Sequence, residues 1–554
     1  MGNYIKLIIL FFLLTTSARA EYLCSRANTT DVVDPSCTTT FNNGWTNVSW
    51  GPAGGKVSAG DTLFVCGTFN FITPDMIIGN SGATANSRTV IDGNCSGNPG
   101  IVTLANTGTN VVVNYPYFDI NNISFTSSAG TGTGIIYYNG SDGSLHFTGD
   151  TFSNGTYGIY LPTGSIAYSD IVVSDTTFQG QTGKGFVWNP TGTQTSSIST
   201  IKFIRDIFRN ITTAGIDIHQ STTNTAAVVS DITIDNTKFY DMTGYSIWAT
   251  SNTTNVASPW GKISVTNVTC GNVGSCISSG GNNATTWGDN NYTDNTIYNT
   301  TMASGPLDIF NSKYVTIARN QVNPLVSQSS TNTSGQIDNT GVLLDFGNQY
   351  VRIYDNNINR MLGEPTKINS GCAINILSSQ HVWAYNNKGT GNKHSLYASY
   401  VGVMPFQDVN FFYNTFTNSV VNGILLRDTI TPTIAQQFTF KNNSLSNSGT
   451  GTGFNAETSN AETVHSNNIF YNFSTTYTNQ AVGIGESTAN PVLDDNYRPL
   501  PTSPAINAGV CLPEVTDDYV GTHRPWGSGC TIGAYETKTG MTLSGLIVNG
   551  VDID

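Results

Sequence analysis

Charge is scarce in this chain. Only 11% of its 554 residues are Asp, Glu, Lys or Arg, and 36 acidic side chains outnumber 23 basic ones, for a net charge of −13. A nucleic-acid partner is excluded on that ground, because phosphate binding needs a basic footprint. Long apolar runs are also scarce. Beyond Leu7 to Leu14 nothing approaches the ~20 apolar residues of a spanning helix, so no membrane insertion of the mature chain is expected. Helical periodicity is missing, and apolar residues recur at every second position instead. So few charges would imply disorder if aromatic residues were rare too. With 26 Phe and 25 Tyr, the chain reads as a β-rich fold with a core of its own.

The opening "MGNYIKLIILFFLLTTSARA" reads as a secretory leader: one Lys, a short apolar run, then Ala18-Arg19-Ala20 as a cleavage pattern. Removal of residues 1–20 and a secreted mature protein are the expectation. Nine Cys in an exported chain allow four disulfides with one left over. Sequence proximity pairs Cys24 with Cys37, Cys66 with Cys95, Cys511 with Cys530 and, more weakly, Cys270 with Cys276. Cys372 falls on an apolar parity and reads as a buried thiol.

One phrase recurs along the chain. "VNFFYNTFTN" at 409–418 returns as "FTFKNNSLSN" at 438–447, and earlier as "VRIYDNNINR", "ITIDNTKFYD" and "LHFTGDTFSN". Each copy is a short alternating strand, an Asn or Asp, and an apolar residue two positions on. Phe152, Phe178, Phe208, Phe239 and Cys270 fill that apolar slot at steps of 26, 30, 31 and 31 residues. Repeats of this length that cannot bury themselves singly stack into a solenoid. The fold expected is all-β, a parallel β-helix with three short strands per coil. Asn320, Asn356, Asn387, Asn414, Asn443 and Asn468 should form a ladder at one corner. A β-sandwich also has alternating strands, but it gives no reason for one Asn at one corner of every unit.

The repeat resembles secreted right-handed parallel β-helix proteins of the pectate-lyase-like superfamily. "SAGDTLFVCGTF" and "TVIDGNCSGNPG" are similar to rungs that open carbohydrate-active members, and "SPAINAG", "GTHRPWGSG" and "IGAYE" are similar to a closing module of bacterial secreted β-helix proteins. The resemblance implies caps at both ends: residues 21–110 as N-terminal cap and first rungs, 111–485 as β-helix, and 486–554 as C-terminal capping module and tail. For activity it implies little, since the superfamily holds lyases, hydrolases, esterases and non-catalytic proteins. The Asn-Thr-Asp, Gly-His-Gly and Arg-Ile-Lys patterns of polygalacturonases are missing. So are the Trp-Ile-Asp-His and Arg-x-Pro-x-x-Arg patterns of pectate lyases.

Geometry must therefore locate the site. After each corner Asn comes a strand whose parity separates inside from outside, as in "GIDIHQ", "LDIFNS", "AINILS" and "ILLRD". One outward column then holds Asp217, Ser246, Cys276, Asp308, Asn375 and Tyr397. The other holds His219, Trp248, Ser278, Phe310, Asp345 and Arg427. Two long excursions, 323–341 and 359–371, flank Asp308, Asp345 and Asn375 as binding walls would.

Two chemistries suggest themselves on this solvated face. Asp308 and Asp345, one rung and two residues apart, would stand about 8 Å from each other, within the roughly 6.5–9.5 Å of an inverting glycosidase. Alternatively Arg427 would neutralise a uronate carboxylate while Tyr397 or His394 moves the α-proton, as a lyase requires. Asp217, His219, Asn375 and His394 are candidate substrate contacts, and Trp248 and Phe310 candidate stacking residues. No His/Cys spacing suggests zinc; no cofactor is called for, although Ca²⁺ held by acidic loops is left open. The expectation is a monomeric protein that degrades a polysaccharide by hydrolysis or elimination, with a non-catalytic glycan-binding or adhesive protein as the alternative.

Overall fold

The computed structural model describes residues 21–537 apart from 27–32, 34, 43–44, 46–47, 52–55, 72–75, 105–110, 128–135, 139–142, 163–166, 190–196, 221–227, 252–259, 282–286, 302–304, 324–339, 364–369, 402–403, 428–437 and 458–462. Residues 1–20, where a leader is expected, and 538–554 lie outside the described residues. Among those described there is no α-helix, and no helix is long and apolar enough to cross a membrane. Strands fall into three long sheets: sheet 1 with 18 strands, and sheets 2 and 3 with 15 each. Neighbours within a sheet come from successive coils and pair in parallel, as Thr316 does with Arg352 and Arg352 with Trp383. The chain is a right-handed parallel β-helix with three strands per coil.

Each coil turns from sheet 1 into sheet 2 through one residue in the left-handed region. Arg319 (φ 56), Asn386 (φ 53), Asn442 (φ 59) and Asn467 (φ 52) hold this position, which Asn tolerates better than most residues. The next residue turns inward and builds the ladder. The Nδ2 of Asn320 donates to Oδ1 of Asn356 at 2.9 Å, Asn356 to Asn387 at 2.8 Å, and Asn387, Asn414 and Asn443 each to the next at 2.9 Å. Each Nδ2 also donates to a backbone carbonyl, and each Oδ1 also accepts a backbone N–H, so that Asn387 Nδ2 meets Ile353 O at 2.8 Å and Asn387 Oδ1 meets Asn356 N at 3.1 Å. The buried amides of the ladder are thereby satisfied. The ladder begins one coil earlier than expected, at Asn295 (2.9 Å to Asn320), and ends on Glu486, which accepts from Asn468 at 2.7 Å.

Inside the coils the apolar slot stacks as the repeat implies. Phe125, Phe152, Phe178, Phe208 and Phe239 lie face to face with centroids 4.5–5.0 Å apart, the offset-stacked spacing aromatic rings favour. Cys270 follows in the same row. The four expected disulfides all form, and Cys372 is free and buried.

After Glu486 the chain doubles back along the outside of the helix. The left-handed corner residues hold it: Asn467 Nδ2 donates to Ala508 O, Asn442 Nδ2 and Tyr413 OH to Val510 O, and Asn386 Nδ2 to Asp517 O, at 2.6–3.0 Å. Lys388 lies within cation–π distance of Tyr497, Tyr519 and Tyr535 from this segment. The segment covers the corner of sheets 1 and 2.

Toward the N-terminus the ladder position changes hands, to Asp150, Thr176, Asp206, Thr237 and Val268. Asp150 Oδ1 accepts Ile123 N at 2.8 Å and Asp206 Oδ1 accepts Thr176 N at 2.9 Å, as the Asn residues do. The other oxygen of each is buried without a partner among the described residues, where an Asn would place its Nδ2 donor. Burial pushes both carboxyls well above the ordinary range. Because the folded carboxyl keeps its proton where the unfolded one has lost it, stability is fullest below about pH 4 and declines as pH rises toward the folded value. Asp206→Asn should therefore raise the thermal midpoint, and by more at pH 8 than at pH 4. A gain equal at both pH values would show that Asp206 is charged in the folded protein.

Candidate functional site

Sheet 3 carries the outward side chains singled out in the sequence, and its parity is as expected: Ile216, Ile218, Ile309, Leu344, Ile374 and Ile376 fill the core. The register of two coils is not. Asp217 stands beside Trp248 and Ser278, not Ser246 and Cys276, and His219 stands beside Thr250 and Gly280. A slip of two residues keeps every side chain on its face, so alternation alone could not reveal it. From Asp308 onward the rows run as expected, Asp308, Leu343, Asn375, Tyr397 and Leu425 in one, with Ser399 beside Arg427 in the other.

The expectation of a solvated face is contradicted. Asp308 is 8% exposed, Asn375 0% and Tyr397 2%, and Asp217 is buried as well. The row is interleaved with apolar residues, and Cys372, Tyr397, Leu425 and Leu377 pack into a cluster of their own on the outside of the solenoid. Asp345, Phe310, Trp248 and His219 are half-buried.

Two groups of polar side chains result. In the first, Lys184 forms an ion pair with Asp217, and its Nζ lies 5.8 Å from the ring centre of Trp248. Trp248 stacks on Tyr245 at 5.3 Å and meets His219 at 5.0 Å, and His219 Nδ1 lies 2.6 Å from Thr250 Oγ1. Burial raises the Asp217 carboxyl to about 6 against the pull of Lys184. Burial, reinforced by the Lys184 charge, lowers His219 to about 4. His219 is thus a neutral imidazole at pH 7.

Asp308 and Asp345 anchor the second group. Asp308 Oδ2 accepts from Ser278 Oγ at 3.5 Å. Asp345 Oδ1 accepts the Phe346 N–H at 3.1 Å, but burial outweighs that bond and raises its carboxyl above the usual range. Leu343 stands directly beside Asp308, so Asp345 follows one coil and two residues away, a backbone spacing of about 8 Å from strand separation and rise. One coil on is Asn375, and one beyond it is Tyr397, whose hydroxyl burial pushes up to about 12 against weaker pulls from Ser399 and Arg427. Arg427 Nε pairs with Glu457 at 3.1 Å. His394 is buried, 3.2 Å from Asn422 Nδ2 and with its ring 6.3 Å from that of Tyr397. Among the described residues no group of three or more His, Cys, Asp or Glu converges as metal ligands would.

Lys184, Tyr245 and Thr250 escaped the sequence reading. For Lys184 a signal existed: it occupies a column with Tyr157, Ala214 and Tyr245, where a single Lys among aromatic residues needs a counter-charge nearby.

No protein-family model matches the chain, and no curated protein sequence does. Three solved structures illustrate what it is similar to. A mannuronic acid specific family 6 polysaccharide lyase from human gut microbiota aligns over 70% of this chain and 86% of its own, with 11% identity and a TM-score of 0.34. The catalytic domain of a GH87 α-1,3-glucanase in complex with nigerose aligns over 78% and 64%, with 14% identity and a TM-score of 0.35. A pectate lyase aligns over 94% and 97%, with 10% identity and a TM-score of 0.25. Scores of this size say nothing about activity or about which residues act.

The first group makes a direct test possible. Lys184→Met leaves Asp217 buried without its counter-charge, which should cost about 3 kcal/mol, and a second change, Asp217→Asn, should recover part of that loss. In the single variant the His219 titration followed by NMR should move upward from about 4, because a repelling cation has gone. An unchanged His219 midpoint would mean that Lys184 does not act on it.

Proposed function

We propose that the chain is an exported polysaccharide-degrading enzyme whose substrate lies on the outward face of sheet 3, across the coils from Asp308 to Arg427, and that the reaction is hydrolysis. The observation that carries this reading is Asn375. It is wholly buried on the outside of the solenoid, in the row that joins Asp308 to Tyr397, and neither its oxygen nor its nitrogen has a hydrogen-bond partner among the described residues. A buried polar atom left unpaired costs about 1–3 kcal/mol, and Leu occupies the same row one coil earlier without that cost. An amide that accepts at one atom and donates at the other suits a pair of sugar hydroxyls. The leader sequence and the four disulfides support export.

Hydrolysis is favoured over elimination by the state of the ionisable groups. Asp345, protonated above the usual carboxylate range, is suited to deliver its proton to the glycosidic oxygen as the bond to the sugar breaks. Asp308, about 8 Å away, is suited to take a proton from the water that attacks the opposite face. For elimination, Arg427 would have to give up Glu457 to neutralise a uronate. Tyr397, pushed up to about 12, is a poor base at neutral pH.

Incubating the mature protein with neutral and acidic polysaccharides, and following both new reducing ends and ultraviolet absorbance of a new C=C bond, tests this reading. Reducing ends should appear without absorbance. Asp308→Asn and Asp345→Asn should each lower turnover by about 10²- to 10⁴-fold while folding normally, and Arg427→Ala and Tyr397→Phe should do less. Activity should decline on the alkaline side as Asp345 loses its proton. Absorbance rising with the reducing ends would mean a lyase, binding without new ends a glycan-binding protein, and full activity in all four variants a site elsewhere.

A further inference from the structure

A second surface adjoins the same coils. Where coils turn from sheet 3 into sheet 1, one residue again takes the left-handed conformation: Asp231, Lys262, Asp289, Tyr314, Tyr350, His381 and Asp408 in successive coils, with φ 52–58. Strand pairing sets these residues side by side in one row. Asp and Lys are unremarkable at solvent-exposed turns. From Asp231 to Asp408 aromatic residues hold this position in three neighbouring coils, those that carry Asp308, Asp345 and Asn375 five or six residues earlier, and Tyr117 (φ 66) holds it in one coil near the N-terminus.

Their rings form an open stack. Tyr314 and Tyr350 lie 5.1 Å apart at 19°, and Tyr350 and His381 4.6 Å apart at 11°. Tyr314 is 53% exposed and Tyr350 38%, so the rings gain little from burial. A left-handed backbone is costly for a bulky side chain. Neither folding nor turn geometry calls for Tyr here, since Asp serves the same turn in coils on either side.

Lys313 completes the surface. Its Nζ lies 5.3 Å from the centre of the Tyr314 ring and 5.5 Å from that of Tyr350. In the same row Lys262 pairs with Asp231 at 3.6 Å, and at the far end His381 meets Asp408 at 3.3 Å. Lys313 pairs with no described carboxylate. In a chain of net charge −13, a cation held over two open rings with no counter-ion among the described residues is an anchor for an anion that also has an apolar face.

We propose that Tyr314, Tyr350 and Lys313 form a subsite for a carboxylate-bearing sugar residue of the substrate chain, with the carboxylate on Lys313 and the C–H face of the sugar against the tyrosine rings. The inference rests on the reading that the protein acts on polysaccharide, and it narrows the substrate class to acidic polysaccharides. One cation against a negative overall field suits a chain with carboxylates at intervals better than one charged at every residue.

Binding of acidic polysaccharides, each paired with its own carboxyl-reduced neutral form, tests this in affinity electrophoresis with the Asp345→Asn protein, so that nothing is cleaved. At least one acidic polymer should bind about tenfold or more tightly than its reduced form. Lys313→Gln should abolish that preference while leaving the reduced form's affinity unchanged. Tyr314→Ala and Tyr350→Ala should weaken both forms. Equal binding of both forms, an acid preference that survives Lys313→Gln, or no binding of any polymer would overturn the subsite. Cleavage by the wild-type protein is scored separately: a polymer that is cleaved but bound without acid preference refutes the subsite alone, whereas a panel with neither cleavage nor binding also refutes the polysaccharide reading.

Discussion

One hydrogen bond, repeated, underlies this structure: from Asn295 to Asn468 a side-chain amide at the inner corner of one coil donates to the amide of the next. The ladder satisfies backbone groups that a tight buried turn would otherwise orphan, and it fixes how each coil sits on its neighbour. All of its amides point the same way, Nδ2 toward the C-terminus, so their dipoles add. Glu486 closes that end with a carboxylate, which accepts from Asn468, from Tyr477 OH and from the Gly483 N–H. The charge stays ionised despite burial: desolvation raises it, but the bonds from His465 and Asn468 prevail and hold it below the ordinary range. At the other end the pattern relaxes into Asp, Thr and Val, with the two acids kept neutral so that they can imitate an amide.

Register at that corner propagates to the outside of sheet 3. Because coils stack about 4.8 Å apart, residues in one outward row become immediate neighbours although some 30 residues separate them in the chain. Asp308, Asn375 and Tyr397 share a row for this reason. Beside this row burial raises the Asp345 carboxyl above the ordinary range.

The fold was legible in the sequence because its cause is local and periodic. The alternating strand, the corner Asn and the Phe slot each recur within one coil, and adjacent coils must match. The outward rows were harder to read. Parity assigned Trp248 to the correct face but to the wrong row, since a two-residue slip has no periodic signature. Exposure was misjudged for Asp308, Asn375 and Tyr397, because it depends on what lies over the sheet rather than on the strand itself. Lys184 and the tyrosines at 314 and 350 went unread because each matters only beside a residue of another coil. Asp308 and Asp345, by contrast, were placed in correct relation, since rung spacing and residue rise suffice for that.

The most direct measurement is a crystal structure of the mature Asp345→Asn protein with a bound oligosaccharide. The account requires the sugar on the outward face of sheet 3, with the Asn375 amide hydrogen-bonded to its hydroxyls and a glycosidic oxygen between residues 308 and 345. An oligosaccharide bound on another face, with Asn375 still unpaired, would contradict it.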